Sequence, residues 1–288
     1  MQFIDVHCHY EDNRFNEDRD EVISSLPLKN VLYAISAGCS ANESITTKEI
    51  AEKYEHMYFC AGVHPCNADK FSDNEIKILK DLWQHKKCVA IGEIGLDYYW
   101  EKQLKNEQKN AFNEQILLAK ELNLPIIVHD RDAHADTLEI LKKHKPKGVL
   151  HCFSGSCEMA KEIIKLGMYI GLGGAVTFKN AVKPLEVAAF LPSDRLLIET
   201  DAPYMTPVPF RGKRCDSLHI PYTAEKIAED FRIGEVSSSN SIFEYDKLKW
   251  MNSHYIKALP IETLKEMLKK YLTQYDLGSL TDAQYTRM

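Results

Sequence analysis

Short apolar runs recur along the chain, and between most of them lie longer stretches in which apolar side chains return every three or four positions. The short runs are Phe3–His9, Val31–Cys39, Met57–His64, Cys88–Glu93, Pro125–His129, Gly148–His151, Met168–Gly171 and Leu196–Asp201, eight in all. They are dense in aliphatic residues, as strands covered on both faces are. A representative intervening stretch is Gln108–Leu124, whose Phe112, Ile116, Leu117 and Ala119 are assigned to one helical face. Strand–helix alternation with buried strands predicts a parallel α/β sheet. Eight such units predict closure into a TIM-like (β/α)8 barrel, with an open doubly wound sheet as the alternative.

The pattern changes near residue 230. Arg232–Trp250 is polar and serine-rich, and Pro260–Leu272 reads as a separate amphipathic helix. The expected organisation is therefore a barrel over 1–230 and a C-terminal helical extension over 231–288, packed on the barrel.

Composition narrows the class. With 288 residues, 44% of them hydrophobic, the chain can bury one large core. No basic segment followed by an apolar one opens the sequence, and no apolar run approaches the ~18 residues of a membrane span. A cytoplasmic protein without a membrane partner or an obligate protein partner is expected. The eight cysteines are scattered without a C-x-x-C pair, which fits free thiols in a reducing compartment. A net charge of −6 argues against a general nucleic-acid coat. Any grip on phosphates must come from a local basic patch or a bound metal.

The ends of the apolar runs carry the chemistry. His7 and His9 close the first, His64 the third, His129 the fifth, His151 the sixth and Asp201 the eighth, while Glu93 lies in the fourth. Five of the 11 histidines fall at such ends. Side chains at the C-terminal ends of parallel strands converge on one mouth of a barrel. Any one of these residues alone could be a hydrogen-bonded core histidine or a helix cap, as Asp201 could be before Ala202–Pro203. Four imidazoles (His7, His9, His129, His151) and two carboxylates (Glu93, Asp201) converging without a cation would leave many polar groups to desolvate. A metal site follows. His7 and His9 are two residues apart on one strand and so share a side, whereas Cys8 between them faces the other way. Imidazole and carboxylate without thiolate suit Zn²⁺, Mn²⁺ or similar divalent ions. Six donors exceed one four-coordinate ion with an open position, so two ions are expected, with Glu93 as the natural bridge.

The segments DVHCHY, GVHP, IGEIGLDYY, LPIIVHDRDA, GVLHCFSG, YIGLGGAVTF and LLIETDAPYMTPVPFRGKR occur in this order between Met1 and about Ala228. In these segments the sequence closely resembles the TatD family of metal-dependent deoxyribonucleases, within the amidohydrolase-like hydrolases. The resemblance implies a TIM-like barrel holding two divalent cations (Zn, Mg or Mn). His7, His9, Glu93 and Asp201 would hold one, and Glu93, His129 and His151 the other. It further implies that Asp201 orients or deprotonates the attacking water. The implied reaction is 3′→5′ exonucleolytic hydrolysis of DNA, single-stranded or at frayed ends, in DNA repair or degradation. The family's usual T-x-N-A-x-x-L-F-like ending is absent, and the chain after Asp230 departs from the pattern.

Further residues are candidates for holding the substrate: His64, one strand from Glu93, and Arg131, two residues after His129. Arg211, Lys213 and Arg214 end the proline-rich loop Pro203–Arg214. Tyr98, Tyr99, Trp100 and Tyr204 offer rings near the mouth that could stack on bases or simply cover the rim, and Ser154 offers a hydroxyl. Gly171–Gly174 lacks the G-x-G-x-x-G spacing of a dinucleotide site and reads as a tight turn. Two other functions compete with the nuclease. One is a binuclear hydrolase of another ester or an amide, including a lactone or an aminoacyl-tRNA ester; the other is a non-catalytic barrel acting through its tail. The fourth run offers Glu93 and no lysine to bridge metals, which favours the nuclease.

Overall fold

A computed structural model describes residues 1–230. The extension expected over 231–288, with its Pro260–Leu272 helix, lies outside the described residues. Eight parallel strands form one sheet in sequence order: β1 (Phe3–Cys8), β2 (Val31–Gly38), β3 (Met57–Ala61), β4 (Cys88–Asp97), β5 (Ile126–Arg131), β6 (Gly148–Leu150), β7 (Tyr169–Leu172) and β8 (Leu196–Ile198). The sheet closes through Cys8 and Ala202, with His9 N donating to Ala202 O at 2.6 Å and Asp201 N donating to His7 O at 3.0 Å. The architecture is the TIM-like (β/α)8 barrel. Helices α1 (Arg19–Ser25), α2 (Ala41–Lys53), α3 (Asp73–Trp83), α4 (Lys105–Leu122), α5 (His134–His144), α6 (Cys157–Lys165), α7 (Val182–Phe190) and α8 (Ile220–Asp230) follow the strands, one per unit.

Local sequence explains several starts. Ser40, Ser72 and Ser156 cap α2, α3 and α6 by accepting from Glu43 N, Glu75 N and Met159 N, which satisfies donors that have no partner within the helix. Helix α4 buries Phe112, Ile116 and Ala119, as expected, but Leu117 is 53% exposed. At 100° per residue Leu117 falls off the face that Phe112 and Ile116 share, and Gln108 and Gln115 take buried places instead. Their amides bond backbone: Gln115 receives Val63 N and gives to Val63 O, and Gln108 does the same for Asp97.

Two apolar layers result. The larger lies between sheet and helices; the smaller consists of Ala37, Cys60, Ala90, Ile127 and Val149, packed with Ile35, Tyr169 and Leu197. Ile127 and Val149 are each two residues before His129 and His151, so alternation puts those imidazoles on the inward face, further along the strands. Strand β4 runs four residues past the expected Glu93 end. Strict alternation from the inward Ala90 would bring Gly92 and Ile94 inside. The β4–β5 register slips between Ile91 and Ile94, so Ile94 and Leu96 join the outer layer, while Glu93 turns inward. Gly95 lets β5 approach: at φ +145°, a Cβ there would lie 2.0 Å from His129 O. The glycines at Gly171–Gly174 also serve close packing, beyond a turn. A Cβ on Gly174 would lie 1.9 Å from Met205 O.

Asp5 ties the barrel seam. Its fully buried carboxylate accepts from Thr200 Oγ1 and Ser217 Oγ, both at 2.6 Å, and from Thr200 N at 3.0 Å. Burial pushes its carboxyl up to about 7 against those hydrogen bonds. Asp5→Ala would strand these donors and the His7 N–H, four buried groups in all, and the expected loss is about 3 kcal/mol of stability, read as a lower urea midpoint. An unchanged midpoint would mean that water replaces the carboxylate at no cost.

Candidate metal centre

Glu93 sits at the centre of the mouth, nearly buried, and its two oxygens face two different groups of donors. Oε2 lies 3.4 Å from His7 Nε2 and 3.5 Å from His9 Nε2. Asp201 Oδ1 completes this group at 3.7 Å from His7 Nε2 and 3.4 Å from His9 Nε2, and the two imidazole nitrogens are 3.1 Å apart. A tetrahedral ion with bonds of about 2.05 Å has ligand–ligand edges of about 3.3 Å. The five separations scatter around that edge, and the donor atoms of His7, His9 and Asp201 lie close enough together to hold a divalent cation. On the other side, Glu93 Oε1 is 2.7 Å from His151 Nε2 and 2.8 Å from His129 Nδ1, and those two nitrogens are 3.4 Å apart. The first two separations are hydrogen-bond lengths, so this group holds itself together through Glu93.

Two of the nitrogens turned away from Glu93, those of His9 and His129, are held by further carboxylates. His9 Nδ1 lies 3.1 Å from Glu11 Oε1 and 2.9 Å from Ala37 O. His129 Nε2 lies 3.1 Å from Asp97 Oδ2, and Glu199 Oε1 is 3.5 Å from His151 Nδ1. His7 Nδ1 and His151 Nδ1 are buried without a hydrogen-bond partner, the latter only near the Glu199 carboxylate. Outer carboxylates of this kind fix the ring orientation and tautomer of a metal-ligating imidazole.

Electrostatics keep both inner carboxylates ionised. Burial alone would raise Glu93, yet the neighbouring His151 and the hydrogen bond from His129 hold it well below the ordinary carboxylate value. Burial likewise works against Asp201, and the bond with His9 and the neighbouring His151 and His7 outweigh it, so its value is lowered. Asp201 occupies the left-handed region at φ +56°, which Asp tolerates better than most residues.

The sequence profile described as TatD related DNase matches residues 4–242. The chain belongs to the TatD family. It is 45% identical over 229 residues to the uncharacterized metal-dependent hydrolase YabD of Bacillus subtilis, covering 78% of this chain and 90% of that protein. It is 36% identical over 236 residues to the 3′-5′ ssDNA/RNA exonuclease TatD of Cronobacter sakazakii, covering 78% and 89%. Among solved structures, the TatD homologue YjjV of Escherichia coli K12 superposes with a TM-score of 0.75 at 33% identity, over 79% of this chain and 90% of that one. As a TatD protein the chain is a metal-dependent hydrolase.

Within this TatD barrel the expected residues divide. His7, His9, Glu93, His129, His151 and Asp201 come together, and His64 joins them, its Nε2 3.6 Å from Glu93 Oε1 and its ring 4.5 Å from that of His129. Cys8 is buried in the outer layer and donates to Ile35 O at 3.2 Å, away from the site. Arg131 and Tyr204 stand at the rim, considered further below, and Ser154 is exposed on the loop before α6, where the capping hydroxyl belongs to Ser156. Three expectations give way. Tyr98 is buried, its hydroxyl 2.6 Å from Asp136 Oδ2 and its ring under Lys105 Nζ at 3.9 Å, so it has no open face for a base. Arg214 is held by Asp18 at 2.7 and 2.6 Å and donates to Arg14 O. Arg211 donates to Thr206 O and covers the Phe178 ring at 3.8 Å. These two arginines brace loops instead of reaching for phosphate. Among the described residues no helix is long and apolar enough to cross a membrane.

The residue reading missed Asp97, Glu11, Glu199 and Cys39. Glu11 and Glu199 each lie two residues from a donor of the cluster, a spacing that could have flagged them. Cys39, at the end of the second apolar run, places Sγ 3.9 Å from Glu93 Oε2 and forms with His9 and Glu93 a further group of donors close enough to hold an ion; burial pushes its thiol up to about 12. Asp97→Asn is expected to weaken metal affinity about 10–100-fold, because the amide cannot both serve His129 and keep its oxygen on Tyr99 N and Trp100 N. Competition with a chromophoric chelator measures it, and unaltered affinity would remove Asp97 from the account.

Proposed function

We propose that this chain hydrolyses phosphodiester bonds of single-stranded DNA with two divalent cations, Zn²⁺, Mg²⁺ or Mn²⁺, shortening the strand from its 3′ end. The observation that carries the reading is Glu93, whose two oxygens each serve a separate donor group. His7, His9 and Asp201 would hold one ion with Glu93 Oε2, and His129 and His151 the other with Oε1. Divalent cations in such a site supply acidity to water and charge stabilisation to a phosphoryl oxygen.

The chain's own groups do the rest. Ionised Asp201 accepts the proton of the attacking water and aims it at phosphorus. His64 supplies a neutral donor: its Nδ1 accepts from Cys66 N at 3.1 Å, so Nε2 carries the proton and points into the mouth. Burial, followed by the neighbouring His129 and His9, pushes this imidazole down to about 3, against the pull of Glu93. A neutral N–H suits a phosphoryl oxygen without adding a charge beside the cations. The exonuclease name of the Cronobacter relative supports the direction and the substrate.

Digestion of a 5′-labelled single-stranded oligonucleotide with Mn²⁺ tests the reading. A ladder shortening from the 3′ end, lost on adding chelator, is expected. No cleavage by protein loaded with metal would move the reaction to another ester or an amide.

A further inference from the structure

Two half-exposed aromatic rims, each backed by an arginine, stand on opposite sides of the cluster. The first follows β4: Tyr99 and Trp100 are 55% and 62% exposed, and the Arg131 guanidinium of β5 lies 4.2 Å from the Tyr99 ring centre and 5.5 Å from that of Trp100. The second follows β8: Tyr204 is 48% exposed, with Arg14 4.1 Å from its ring centre and the His9 ring 6.3 Å away. In a closed barrel of strand order β1 to β8, the β4–β5 edge of the mouth faces the β8–β1 edge across its diameter.

Each rim is fixed to the cluster by one residue. Asp97 gives one oxygen to Tyr99 N and Trp100 N, at 2.9 and 2.8 Å, and the other to His129. Tyr204 N donates to Asp201 O at 2.8 Å, and Asp12 pins the Arg14 guanidinium at 2.9 and 2.7 Å. Arg214, lost as a phosphate contact, anchors this side by donating to Arg14 O at 2.7 Å. The rings thus stand at set positions relative to Glu93. A large aromatic left half in water beside an ionic site gains by stacking on a flat, electron-poor partner, and nucleobases offer such a face only when unpaired. The guanidinium cations beside the rings complement the phosphates of the same strand.

We propose that the two rims are base-stacking platforms that hold a single-stranded polynucleotide across the mouth, with one unpaired nucleotide on each side of the phosphate over Glu93. This rests on the phosphodiesterase reading above. Duplex DNA hides its base faces within its own stack, so the platforms select for unpaired ends.

The test walks a single abasic residue along a single-stranded oligonucleotide cleaved with Mn²⁺. An abasic residue on either side of the cleaved bond is expected to raise KM about tenfold. Trp100→Ala should abolish that sensitivity on one side only and Tyr204→Ala on the other, while Trp100→Phe, which keeps a ring, should retain it. Independently of turnover, oligo(dT) added in the presence of chelator should quench the emission of exposed Trp100, and an abasic homologue should not. Cleavage with no abasic penalty in the wild type, or a penalty that persists in both alanine variants, overturns the platforms and leaves the phosphodiesterase reading standing. Absence of cleavage on every oligonucleotide sinks that reading instead, and the quenching then decides the platforms: no quenching overturns them.

Discussion

Glu93→Gln is expected to lower kcat/KM on single-stranded DNA by about 10³-fold or more. The amide matches the carboxylate in shape, so the fold should survive. It offers one acceptor oxygen where the two donor groups need two, and it removes the negative charge at the centre of His7, His9, His64, His129 and His151. Metal content should fall with activity, to one ion or none per chain. Elemental analysis beside steady-state kinetics checks both, with the thermal midpoint as the control for folding. A variant that kept both ions and full activity would mean that Glu93 merely neutralises histidines.

Asp201→Asn should behave differently. Its amide oxygen can still face His7 and His9, so metal binding weakens less than in Glu93→Gln, but an amide cannot take a proton from water. The expected result is a fall of about 10²–10⁴-fold in kcat with little change in KM. A change confined to KM would show that Asp201 binds substrate and transfers no proton. The contrast between the two variants separates holding the ions from using them: one loses metal and rate together, the other chiefly rate.

Much of the cluster was readable from the chain because barrel geometry converts sequence position into place. His129 and His151 end apolar runs, and Ile127 and Val149 two residues earlier face the barrel interior, so alternation alone carries those imidazoles to the mouth. Glu93 is another case. Alternation from Ala90 would point it outward, and only the register slip between Ile91 and Ile94 turns it in. No pattern of apolar positions announces such a slip; the motif IGEIGLDYY found Glu93 where periodicity would have missed it. Strand β4 also runs on to Asp97, whose carboxylate reaches His129.

Basic residues were the hardest to read. Arg211, Lys213 and Arg214 stand close together in sequence at the end of one loop, yet Arg214 meets Asp18, which is 196 residues away in sequence, and local spacing holds no sign of that pairing. Arg14 drew no attention, and it stacks on Tyr204 because the loop from Asp12 folds back over the β8 end. Tyr98 and Tyr99 are adjacent and chemically alike, but one is buried against Asp136 and the other stands open at the rim. Contacts between distant loops decide such cases, and they are set by tertiary packing alone.

In the proposed reaction one carboxylate, Glu93, would divide the cluster into two cation sites. Anomalous diffraction from crystals equilibrated with Mn²⁺ or Zn²⁺ tests it most directly. Two peaks flanking the Glu93 carboxylate are predicted, one among His7, His9 and Asp201 and the other beside His129 and His151. A single peak, or two peaks that share no contact with Glu93, would contradict it.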